Sequence, residues 1–286
     1  MPLVHRFLLR VRRCLALCCF SLASTLPAIE WQADRSSPQD LELRGELAGV
    51  PAGEKRFVRW SELRSLPTTT LTLNRAFGLN APQVTVLFLA DLWAALPHSS
   101  TADTLLATCQ DGYASVYSRE FIAAYRPFLV LEINGVGPAG WPLPGLGPYV
   151  ISIAAEVVPA AAQLLDGAHK RPWGTVALEF ANFAERFGDA YRGKWDGISA
   201  RAIAGRDLWI NSCASCHRGP GSTFGGSKSD RPFEVLVALA IANADYFRQY
   251  VRDPKSKVAG ATMEPHPHYT DEQLNALIAF ITAEPK

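Results

Sequence analysis

The sequence carries almost no excess charge and has few of the residues that build disulfide frameworks. Its formal net charge is +1 and only 19% of its residues are charged, with no dense run of Lys and Arg beyond the N-terminal stretch. A polyanion-binding surface needs concentrated cations to displace condensed counterions, so nucleic-acid binding is excluded as the main task. Cysteine is scarce as well: Cys14, Cys18 and Cys19 lie near the N-terminus, and only Cys109, Cys213 and Cys216 follow. One close pair and one distant thiol do not make a disulfide framework, which favours even numbers and wider spacing. After Met1 the only methionine is Met263. The sequence has no internal repeat, and its 286 residues suit two domains with an apolar core each.

The N-terminus differs from the rest. His5, Arg6, Arg10, Arg12 and Arg13 precede an apolar run from Cys14 to Leu26, and Ser21, Ala23 and Ala28 supply small residues for a cleavage site. The run is too short to cross a bilayer comfortably, so residues 1–28 read as a secretory signal peptide. The expected location is therefore periplasmic or otherwise exported, with membrane attachment only if the segment stays uncleaved. The pair Arg12-Arg13 lacks most of a twin-arginine pattern.

Beyond a polar stretch that carries Ser36-Ser37-Pro38, residues 38–165 alternate strand-prone and helical patches. Val84 to Leu89 and Phe128 to Ile133 read as strands, and the neighbourhoods of Trp60 to Leu66 and Ala90 to Leu96 as helices. Gly135 to Pro148 holds too much Gly and Pro for a regular element. Residues 166–198 read as a linker, although Thr175 to Leu178 within it is strand-prone. From Ser199 to residue 286 the pattern is helical, interrupted by the glycine-rich stretch Gly219 to Ser229. The fold class expected is a two-domain α+β chain.

Cys213-Ala214-Ser215-Cys216-His217 is the strongest chemical signal. Two thiols at this spacing can add to the two vinyl groups of one haem, and the adjacent His then lies under the iron as an axial ligand. A bare C-x-x-C also suits a zinc half-site or a thioredoxin-like pair. A zinc site would want a second ligand pair, for which only the closely spaced His266 and His268 offer themselves. A thioredoxin motif should follow a strand, whereas this one follows the helical stretch Arg201 to Asn211.

The chain around the motif, from Gly205 to Ile281, resembles the class I cytochrome c domain, an all-α fold. Gly205-Arg206-Asp207-Leu208-Trp209 is similar to that family's first helix, in which Gly205 would let the last helix cross closely. Phe233 to Ala242 and Asp245 to Arg252, followed by Asp253-Pro254, are similar to its middle helices. The last helix has support of its own: Thr270 and Gln273 form a capping box, and Leu274, Leu277, Ile278 and Ile281 recur on one face, with Phe280 beside them. The resemblance implies one covalent haem c, axial ligation by His217 and Met263, and redox partner proteins. His266 and His268 lie close enough in sequence to compete with Met263, which would lower the potential. Pro220 follows His217 closely, and two readings stand side by side: a backbone carbonyl in this region accepts a hydrogen bond from the other nitrogen of His217, or Pro220 is an ordinary turn proline.

The first domain resembles, more loosely, the molybdopterin-binding domain of the sulfite oxidase superfamily. The matching residues are Phe57, Ser61-Glu62-Leu63, Leu66-Pro67, Leu89-Ala90-Asp91-Leu92, Asp111-Gly112-Tyr113, Asn134-Gly135 and Gly147-Pro148-Tyr149. In that resemblance Cys109, in Cys109-Gln110-Asp111-Gly112-Tyr113, sits where some relatives ligate molybdenum. The bland alternative is a buried structural cysteine. Two features favour it: the domain is short, and only Arg119 and Arg126 lie near enough in sequence to meet a pterin phosphate. The expected function is single-electron transfer by the haem, with the first domain as a cofactor-free docking or folding module. Two alternatives stand beside it: a molybdenum oxidoreductase fused to its cytochrome, and a ligand sensor read out by the haem.

Overall fold

The computed structural model describes residues 29–162, 170–192, 199–219 and 224–283; the expected signal peptide lies outside the described residues. Strands β1 (Leu41–Gly45), β2 (Arg56–Val58), β3 (Thr69–Thr72), β6 (Gln83–Phe88), β7 (Thr104–Cys109), β8 (Ala114–Ser118), β9 (Phe128–Ile133), β10 (Tyr149–Ser152) and β11 (Trp173–Ala181) form one sheet, and β4 (Arg75–Ala76) pairs with β5 (Leu79–Asn80) in a small hairpin. Helices α1 (Trp60–Ser65), α2 (Leu89–Ala95) and α3 (Arg119–Tyr125) fill the connections. Both expected strands and both expected helical patches are present, and Gly135 to Pro148 holds only the short 3-10 turn Pro138–Gly140.

The sheet runs β2-β1-β11-β10-β9-β6-β3, and β7 joins it on β11 and carries β8 on its other edge. Side chains alternate between faces along each strand, and the sheet uses both. In β6 and β9, Leu87, Leu129 and Leu131 enter the main core beneath α1 and α2, whereas Val84, Val86, Phe88, Phe128 and Val130 enter a second cluster on the opposite face. Each fully buried side chain of this kind contributes roughly 1.5–3 kcal/mol.

The linker expected at 166–198 is corrected by β11. It pairs in parallel with β1 and antiparallel with β10 and β7, so it is the branch strand of the first domain. Its neighbours within 166–198 are helix α4 (Phe183–Arg192) and the segments 163–169 and 193–198, which fall outside the described residues. The strand was hard to read because it is buried on both faces and so lacks a polar/apolar alternation.

The helical region contains α5 (Ala200–Leu208), a π-helical turn Trp209–Cys213, α6 (Phe233–Ala242), α7 (Ala244–Arg252), α8 (Pro254–Lys257) and α9 (Asp271–Ile281). Thr270 caps α9 with the expected capping box. Leu274, Leu277, Phe280 and Ile281 of α9 are buried, and Phe280 meets Trp209 and Phe233 at ring distances of 6.2 and 6.4 Å. No helix among the described residues is long and apolar enough to cross a membrane.

Lys170 is an expensive element of the first domain. It is 3% exposed, its Nζ donates to the Val116 carbonyl, and it lies 4.9 Å from the Phe121 ring centroid and 5.4 Å from that of Tyr117. Burial pulls its pKa down to about 7. An unfolded lysine titrates near about 10.4, so between these values the unfolded chain binds more protons than the folded one and stability rises with pH. Chemical denaturation of the wild type should show that rise from pH 7 towards pH 10, and Lys170→Met should flatten it; a flat wild-type profile would contradict the assignment.

Candidate haem site

The motif sits where the first helix ends. At the π-helical turn the Ala214 amide donates to the Trp209 carbonyl at 2.8 Å, and three residues later helical spacing resumes, with the His217 amide donating to the Cys213 carbonyl at 2.8 Å and the Cys216 amide to the same oxygen at 3.1 Å. Single π turns inside helices mark functional sites. Here the turn puts Cys213, Cys216 and His217 on one helical turn. Neither thiol is in a disulfide, and both are half-buried. Desolvation, reinforced by the neighbouring Cys216, pushes the Cys213 thiol up to about 12, and desolvation raises Cys216 as well.

Two close backbone approaches hold this turn. Gly205 of α5 lies against α9 so tightly that a Cβ there would fall 1.9 Å from the Ala276 carbonyl oxygen. Gly225, at φ +82°, lets the following loop cross the motif, and a Cβ on it would fall 1.6 Å from the Ala214 oxygen. The loop is then tied down: the Gly226 amide donates to the Ala214 carbonyl at 3.1 Å and the Ser227 hydroxyl to the Ser215 carbonyl at 2.9 Å.

Residues 200–281 match the family described as "Cytochrome C oxidase, cbb3-type, subunit III". The helical region is a cytochrome c domain. A cytochrome c domain implies haem, electron transfer and redox partner proteins in general, and a mixed α/β domain that the match does not reach precedes it. No curated protein matches the chain.

The residues of the cytochrome c domain fit a haem. His217 Nδ1 and Trp209 Nε1 are buried without a hydrogen-bond partner among the described residues, and burial, with Arg231 nearby, lowers the pKa of His217. A neutral imidazole with a buried N–H is the state in which the other nitrogen can ligate a metal. Pro220, whose neighbourhood was expected to supply the acceptor, lies outside the described residues. Around the motif, Leu236, Val237 and Leu239 of α6, together with Cys213 and Met263, are half-buried and pack on the domain's apolar core.

Met263 lies in the segment between α8 and α9, beside Thr262, Glu264 and Pro265. His266 is buried, its ring stacked on Tyr269 at 5.2 Å, and burial, His268 and His217 together lower its pKa to about 4. His268 is less enclosed and packs edge-on against Tyr269 at 4.4 Å.

Cys109 is at the end of β7, 4% exposed, with Sγ 3.8 Å from Thr175 Oγ1. Burial pushes its thiol up to about 11. Arg119 is spent on the Ala102 carbonyl and the Trp93 ring, and Arg126 lies over the Phe88 ring. No group of three or more His, Cys, Asp or Glu suited to a metal occurs among the described residues. The Cys109 surroundings do not fit a molybdenum cofactor.

Sequence reasoning missed the contacts between the motif and the first domain. Asp111 forms an ion pair with Lys228, and Ala114 and Val116 share an apolar cluster with Ala214 inside the motif. The partners are about a hundred positions apart, and no local pattern links them.

Gly225→Ala and Gly205→Ala should both lower the melting temperature of the loaded protein, each by the equivalent of about 1–3 kcal/mol of overpacking. For Gly205 this runs against helix propensity, which favours Ala by about 1 kcal/mol. A Gly205→Ala variant as stable as the wild type would contradict the close crossing.

Proposed function

We propose that the protein is an exported electron carrier with one haem, held covalently by Cys213 and Cys216 and axially by His217 and Met263. The observation that carries this reading is the turn that gathers two thiols and a buried, neutral imidazole against a half-buried apolar wall. Haem bound there supplies a one-electron ferric–ferrous couple. Two thioethers prevent dissociation, which suits a protein that works outside the cell's haem supply. His217 and Met263 would both hold the iron, which would leave no open position for a substrate, and the domain would act as a carrier.

The choice of Met263 over His266 rests on its position between the Asp253-Pro254 element and α9, where the resembled family has its axial Met. The N-terminal basic and apolar segment supports export. The first domain is assigned no reaction of its own; its apolar contacts with the cytochrome c domain support a structural role.

Metal analysis of the purified protein by mass spectrometry tests this reading. About one iron and no molybdenum per chain is expected, and Cys109→Ala should leave both values unchanged. Met263→Ala should keep the iron but lower the midpoint potential, because the thioether favours the ferrous state. Stoichiometric molybdenum would overturn the carrier reading, and an unchanged potential in Met263→Ala would move the sixth ligand to another residue.

A further inference from the structure

The sheet of the first domain ends at β2, at β8 and at β3, and two of these ends are closed. Outside β2, Gln32 pairs with Phe57 through backbone hydrogen bonds of 2.8 and 2.9 Å. β8 is buried from Ala114 to Tyr117, and the Lys170 ammonium takes the Val116 carbonyl. The third end, β3, pairs with β6 alone and has no strand beyond it among the described residues. Thr69, Thr70 and Thr72 are exposed there, and Leu71 is half-buried.

The ladder shows which backbone groups of β3 are open. Gln83, opposite Thr72, spends both of its backbone groups on Asn134: its amide donates to Asn134 Oδ1 at 2.9 Å, and its carbonyl accepts from the Asn134 amide at 2.7 Å. The Leu73 amide donates to the Pro82 carbonyl at 3.1 Å. Bonded pairs alternate along an antiparallel ladder, so Leu71 and Leu73 turn their backbone groups to β6, and Thr70 and Thr72 turn theirs outward. The next outward amide, that of Asn74, is taken by Glu156 Oε1 at 2.7 Å, which ends the open stretch. Native proteins guard such an edge with charge, proline or a bulge. Here the chain from Ser65 to Asn74 has no charged residue, and its one proline, Pro67, precedes the strand.

We propose that β3 is the surface on which a second copy of this chain docks, the two β3 strands pairing antiparallel about a two-fold axis through Leu71. In this register Thr70 of each copy exchanges backbone hydrogen bonds with Thr72 of the other, so every open donor meets an open acceptor. Leu71 then faces its own counterpart beside the apolar cluster that it already flanks, and that cluster continues across the axis. Pairing about Thr70 would instead set Leu71 against Thr69, and burial of the apolar side chain selects the first register. A second copy fits because the edge is self-complementary: a strand without charge meets no like charge when it pairs with itself. The cytochrome c domain packs on β8, at another end of the sheet, so this inference does not depend on the haem reading.

Sedimentation velocity on the full chain, across a range of micromolar concentrations, tests it. The wild type should pass from monomer to dimer as its concentration rises. Thr70→Glu/Thr72→Glu sets like charges opposite one another across the axis and should keep the protein monomeric throughout. Thr70→Glu/Thr72→Lys sets each new carboxylate opposite an ammonium of the other copy and should restore the dimer. Both positions are exposed; should a charged variant fail to fold, Thr70→Pro, which removes one outward N–H and leaves the β6 ladder intact, should give the monomer. A wild type that stays monomeric overturns the proposal and leaves the edge to a different chain. A dimer that survives Thr70→Glu/Thr72→Glu or Thr70→Pro overturns it as well, because the interface then lies elsewhere.

Discussion

Alternation of side chains across the β7–β8 hairpin is the constraint that makes this a single molecule. In a strand, neighbouring residues point to opposite faces, so a hairpin apolar on both faces must be covered on both. Here Leu105 and Tyr117 are covered by the first domain's own helices, and Leu106 and Val116 by Trp209, Ile210 and Ala214. A one-residue slip in the pairing of β7 with β8 would exchange the two sets. The Cys213–His217 turn therefore has its position set from two directions. The crossing of α5 and α9 at Gly205 fixes it within the cytochrome c domain, and the hairpin fixes it from outside.

What the sequence made legible follows from how local each signal is. Cys213, Cys216 and His217 are close neighbours whose chemistry is written in their spacing, and the Thr270/Gln273 box announces α9 within four residues. Gly205 was readable through resemblance, and the 1.9 Å approach to Ala276 gives its physical reason. By contrast β11 looked like linker because its burial comes from three partners that lie far off in sequence. Nothing local in the sequence says which of two cores Leu106 and Val116 enter. The same holds for Asp111, whose partner Lys228 is brought near only by the whole fold.

The two cysteine environments show why residue type alone does not assign chemistry. Cys109 and Cys213 are both desolvated and both held as thiols. Cys213 shares its helical turn with a second thiol and an imidazole, whereas Cys109 has a threonine hydroxyl for company and basic residues that are engaged elsewhere. The difference lies in the neighbours that the backbone supplies.

Covalent haem on the Cys213–His217 turn is the central claim, and intact-mass spectrometry of the purified protein under denaturing conditions tests it most directly. The account predicts a mass that exceeds the polypeptide by one haem, an excess that disappears in the double variant Cys213→Ala/Cys216→Ala. A wild-type mass equal to that of the bare polypeptide, from a host able to attach haem to other c-type cytochromes, would contradict it.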